Sequence, residues 1–220
     1  MENFLEKVEP FAIEIRKSVM NDLKPRVAHL VDAGWPEVIQ AVRDYEISLE
    51  KTNAWRVEDE KGAIHLKTGC TILAVYRALE PYFEDKQKLL DVMKEMIDQV
   101  AFGEGGENHL INRYGLDPHN PSEAWDRFCS SFLRIGQEEY GASWVYEQGI
   151  RDHKRFFINI RKCGFKDFFI ENGAREVLYL LCSVDYIWAD ALEKYNITFL
   201  RPTTLSEGSD ACRFQFFKSD

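Results

Sequence analysis

Near residue 140 the apolar residues change period, from the three- and four-residue steps of a helix face to the alternation of a strand. A chain with this switch cannot be all-helical or all-sheet. It predicts an α+β domain in which a helical N-terminal half, residues 1–140, packs on a mostly antiparallel sheet built from residues 141–220. The 220 residues, 45% of them hydrophobic, suffice for one sizeable core, so a single domain over 1–220 is expected.

In the helical half, Phe4, Val8, Phe11 and Ile15 predict a helix near 2–23, and Val38, Ile39, Val42 and Tyr45 another near 36–50. Leu66, Cys70, Leu73 and Tyr76, with Ile72, Val75 and Leu79, give a broad apolar face that Pro81 ends. A further helix carries Leu89, Met93, Met96, Ile97 and Val100 until Gly103-Glu104-Gly105-Gly106 stops it. That glycine run lacks the Lys and Ser or Thr of a phosphate loop. Asn120-Pro121-Ser122-Glu123 supplies an N-cap, a proline for the first turn and a Glu able to reach back, opening a helix to about Tyr140.

In the second half, Phe156, Ile158 and Ile160 alternate with Phe157, Asn159 and Arg161, and Cys212, Phe214 and Phe216 alternate with Arg213, Gln215 and Phe217. Both predict strands. A third over Ile197 to Thr203 is joined to the last by Ser206-Glu207-Gly208-Ser209, so the chain closes in an antiparallel hairpin. Residues 185–195 suit a short helix before it.

The net charge of −9 disfavours nucleic acid and anionic membrane as partners, because either needs clustered Lys and Arg. No run approaches the roughly 20 apolar residues of a bilayer span, and Glu2, Glu6 and Glu9 stand where a secretory signal is basic and then apolar, which points to the cytoplasm. Five scattered cysteines without a C-x-x-C pair suggest free thiols rather than a disulfide framework or a zinc ribbon.

Candidate chemistry lies after residue 150. Cys182, Ser183 and Asp185 fall where the expected short helix begins, and unpaired N–H groups there would favour a thiolate or a carboxylate. The alternative is that Cys182 fills a core gap behind Leu178-Tyr179-Leu180-Leu181 while Ser183 or Asp185 caps the helix. Cys212 shares a strand face with Phe214 and Phe216, as an inert thiol would. Arg201 alternates onto the face of Ile197 and Phe199, and a guanidinium there needs an anion: a ligand carboxylate, Asp185 or Glu207. His153 could serve as a base, but neither it nor His65, His109 and His119 falls in a zinc-binding spacing. Cys163, Cys182, Cys212 and His153 are too dispersed to suggest a metal site.

Taken in order, Cys163, Cys182-Ser183-Val184-Asp185, Arg201-Pro202-Thr203-Thr204-Leu205-Ser206-Glu207-Gly208 and Cys212-Arg213-Phe214-Gln215-Phe216 resemble the L-2-amino-thiazoline-4-carboxylic acid hydrolase family. The likeness covers about residues 145–217, with support from Ala74-Val75-Tyr76-Arg77-Ala78-Leu79. Pro202 replaces the Thr of the family pattern and Arg213 its Asp. The resemblance implies hydrolytic opening of a cyclic isothiourea to an N-carbamoyl amino acid, acting on a small-molecule substrate without a redox or nucleotide cofactor. No metal is expected, and a homo-oligomer is compatible with the sequence.

For such a substrate, Asp185 would hold the amidine-like centre or activate water, and Cys182 or Cys212 would attack as a thiolate unless water attacks directly. Arg201, Thr203, Thr204, Cys163 and His153 would bind the substrate. The Gly-turn and C-x-F ending also suggest a different class, the small ligand-binding domains of 4-vinyl-reductase type, in which the cysteines line a pocket without catalysis.

Overall fold

The computed structural model describes residues 4–31, 34–103, 105–120 and 123–219. Met1 to Asn3, Glu104 and the Pro121-Ser122 step of the expected cap lie outside the described residues. The fold is α+β: nine α-helices among the described residues and a four-stranded antiparallel sheet in order β1-β2-β4-β3. The chain divides into two compact units, residues 1–101 with 164–181, and residues 102–163 with 182–220.

The first unit contains α1 (Phe4–Lys7), α2 (Glu9–Val31), α3 (Trp35–Asn53), α4 (Glu60–Leu79), α5 (Lys86–Phe102, to Ala101) and α8 (Gly164–Glu171). Its central helix is α4, whose apolar residues run almost all the way round and are buried on nearly every side. Asp59 caps it, accepting from Gly62 N at 2.6 Å. Lys67, only 3% exposed, is held between Glu9 at 2.5 Å and Glu50 at 2.8 Å, so its buried charge is fully matched.

In the second unit α7 (Ala124–Tyr140) and residues 182–191 of α9 (Arg175–Ala191) cover one sheet face, and α6 (Gly105–Tyr114) packs on both through Tyr114. The sheet comprises β1 (Trp144–Arg151), β2 (Arg155–Cys163), β3 (Ile197–Leu200) and β4 (Cys212–Lys218). The alternation read from the sequence is the burial pattern observed: Phe156, Ile158, Ile160, Phe214 and Phe216 point inward. They meet Phe128, Phe132 and Trp188 in one aromatic core, with Phe128 and Phe216 edge-to-face at 4.8 Å between centroids.

Three expectations need correction. The helix expected at 185–195 begins at Arg175 and ends at Ala191, followed by a 3-10 turn to Tyr195. The strand expected to reach Thr203 ends at Leu200. The glycine run does end α5, but Gly105 opens another helix, α6. A Cβ on Gly106 would stand 2.4 Å from the Ile187 carbonyl oxygen, so the residue that reads as a helix breaker is there to let α6 approach α9.

Candidate active site

The candidate residues gather at one end of the sheet. Cys163 ends β2, and Cys212 begins β4 opposite Ile160. Arg201 follows β3, and Asp185 lies one turn beyond Cys182 on α9. His153 is not brought to them. It is exposed in the β1–β2 turn, beyond the other end of β2, and the eight residue steps from Arg155 to Cys163 put the two ends about 26 Å apart at the usual rise of a strand.

The longer helix changes the chemistry of Cys182. It is the eighth residue of α9, so its N–H belongs to the helix ladder and no helix terminus acts on its thiol. The thiol donates instead to Ser206 Oγ at 3.6 Å, and burial pushes its pKa up to about 11 despite that bond and the nearby Arg201. The reading of Cys182 as a helix-activated thiolate therefore fails. Burial also raises Cys212, although Leu205 N donates to its sulfur at 3.2 Å.

Of the three anions open to Arg201, the structure supplies Asp185. Arg201 Nη1 donates to Asp185 Oδ2 at 2.7 Å and to the Cys182 carbonyl at 2.8 Å. The guanidinium lies 4.7 Å from the Tyr186 ring centroid and 6.0 Å from that of Phe214. The Arg201 side chain is 7% exposed and that of Asp185 31% exposed, so the carboxylate is the open member of the pair. Arg201 Nε is buried without a hydrogen-bond partner among the described residues, a cost of about 1–3 kcal/mol that an evolved core would not ordinarily retain.

Burial pushes the Asp185 carboxyl up to about 6, outweighing the downward pulls of Arg201 and of the Trp188 indole N–H that donates to it. The group is thus a carboxylate at neutral pH yet basic enough to take a proton. Three phenols absent from the sequence expectations, Tyr114, Tyr140 and Tyr146, each lie close enough to feel its charge. Burial raises all three, so they remain protonated hydrogen-bond donors. Cys163 neighbours Tyr140 and Tyr146.

Thr203 and Thr204 have structural partners. Thr203 Oγ1 donates to Ala211 O at 3.0 Å and accepts from Arg213 Nη1 at 2.9 Å. Thr204 Oγ1 accepts from Glu207 N at 3.2 Å and lies 2.9 Å from Ser206 Oγ, capping the turn Leu205–Glu207. Arg213, where the family pattern has Asp, also bonds Asp210 at 2.7 Å and so braces the loop that carries Arg201.

Among the described residues no three His, Cys, Asp or Glu side chains gather as a metal site, and no helix is long and apolar enough to cross a membrane. The cation–carboxylate pair, the thiols and the phenols thus lie in the second unit, and sequence comparison gives the class as a hydrolase. The family described as L-2-amino-thiazoline-4-carboxylic acid hydrolase matches residues 63–216, from α4 through β4. The chain belongs to this family. The match is continuous across α5, α6 and α7, beyond the segments that carried the resemblance. No curated protein matches the chain.

Proposed function

We propose that this chain hydrolyses 2-amino-thiazoline-4-carboxylate or a close cyclic amidine to an N-carbamoyl amino acid, with Asp185 as the general base. The carrying observation is the part-exposed Asp185 carboxylate, fixed by Arg201 at 2.7 Å and raised to about 6. Water adds to C2 of the ring, and collapse to a urea carbonyl breaks the C2–S bond. One water proton ends on the ring nitrogen and the other on the departing sulfur, with Asp185 relaying both. Arg201 orients the carboxylate and keeps it ionised between turnovers.

This route needs no thiolate. Cys182→Ser and Cys212→Ser are each expected to keep thiol release within about threefold of the parent, whereas loss of a covalent nucleophile removes nearly all activity. A hundredfold loss in either variant would restore the covalent version. The pH profile follows from the same group: with Asp185 required as carboxylate, kcat/KM should fall about tenfold per unit as pH drops below about 6. A profile flat from pH 7 to pH 5 contradicts Asp185 as base.

The direct test is steady thiol release from 2-amino-thiazoline-4-carboxylate by the purified protein, against a protein-only blank. Saturable binding with the ligand recovered unchanged favours the non-catalytic ligand-binding class instead.

A further inference from the structure

We infer that Arg113 receives the carboxylate of the substrate, an assignment that rests on the hydrolase reading above. Arg201 is the obvious cation for that group, but its charge already faces Asp185. A substrate carboxylate brought to Arg201 would crowd the very carboxylate that serves as base.

The second unit offers one other mostly buried guanidinium. Arg113, near the end of α6, is 23% exposed, and its guanidinium carbon lies 5.9 Å from the ring centroids of both Tyr114 and Tyr140. Its Nε is buried and lacks a hydrogen-bond partner among the described residues, as Arg201 Nε does. Its carboxylate partner, Glu139 at 2.6 Å, is 44% exposed and so offsets the charge only weakly. By contrast, Arg161 is tied to Glu147 and Asp210, and Arg213 to Asp210 and Thr203.

Tyr140 and Tyr114 both lie 5.9 Å from the Arg113 guanidinium carbon, and the Tyr114 ring lies 6.2 Å between centroids from Trp188, three residues beyond Asp185 on α9. A cation on α6 and an anion on α9 therefore belong to one aromatic cluster. The substrate has the matching polarity: an easily protonated amidine at one end and a carboxylate at the other. Seated beside Tyr140, it would place the amidine carbon at Asp185 and let the carboxylate accept from Arg113 Nε.

The test separates binding from turnover by using two non-hydrolysable probes, 2-aminothiazole-4-carboxylate and 2-aminothiazole, titrated calorimetrically into the parent, Arg113→Gln and Arg113→Lys proteins. The parent should prefer the carboxylate probe by about tenfold or more, Arg113→Gln should abolish the preference, and Arg113→Lys should retain part of it. Melting curves confirm that each variant is folded, and the charge-retaining Lys variant decides the matter if the Gln variant is not. A parent without the preference, or an Arg113→Gln protein that keeps it, overturns the assignment. A parent that shows the preference yet releases no thiol overturns the hydrolase reading while Arg113 is still judged by its variants.

Discussion

The Asp185→Asn protein is expected to fold and to lose thiol release by about 10²–10⁴-fold, the usual contribution of a positioned general base. Asparagine keeps an oxygen for Arg201 and for the Trp188 indole, so the site retains its shape, but it cannot take a proton from water at neutral pH. The stability consequence has a defined sign. The folded-state pKa of about 6 lies above the ordinary 3.8, so the native protein binds an extra proton between these values. Stability from this group is greatest below about 4 and falls as pH rises through about 6. Asp185→Asn removes that fall, so melting temperatures of variant and parent should differ in the parent's disfavour more at pH 7 than at pH 4. A variant with parental turnover would end the role of Asp185 as base. One with lost turnover and a collapsed fold would make it structural.

Arg201→Ala is expected to destabilise the protein by roughly 3–5 kcal/mol, as removal of one member of a buried ion pair does. Three losses combine: the bond to Asp185, the bond to the Cys182 carbonyl, and the packing of the guanidinium against Tyr186 and Phe214. Asp185 can relieve part of its isolation by taking up a proton, which places the effect at the lower end of that range. Arg201→Lys should recover only a fraction, because a compact ammonium cannot lie over the Tyr186 ring as the planar guanidinium does. Denaturant unfolding measures both, and a cost below about 1 kcal/mol for Arg201→Ala would reduce the pair to an ordinary surface salt bridge.

What was legible in the sequence follows from the range of the signal. The strands carrying Phe156, Ile158 and Ile160 and Cys212, Phe214 and Phe216 declared themselves because one face is core and the other is not, a pattern each strand carries alone. The pairing of Arg201 with an anion was legible for the same reason: its place on an apolar face is local. The start of α9 was not, because the run Val177, Leu178, Leu180 and Leu181 is as apolar as a buried strand, and periodicity over so few residues cannot decide. That error carried Cys182 to a helix start it does not occupy. The tyrosines were invisible for a different reason. Tyr114 and Tyr140 end helices and Tyr146 lies in a strand, positions that in sequence suit any half-buried aromatic, and only the tertiary fold brings them near Asp185.

Gly106 gives the second unit a gauge. Because it has no side chain, the backbone of α6 rests directly on that of α9 at Ile187, two residues along the helix from Asp185, while Arg113 lies two turns further along α6. The separation of the cation at 113 from the anion at 185 is therefore set by contact between two main chains, which do not repack as side chains do. A single methyl group at position 106 would part the helices and lengthen that separation without removing any polar group of the site.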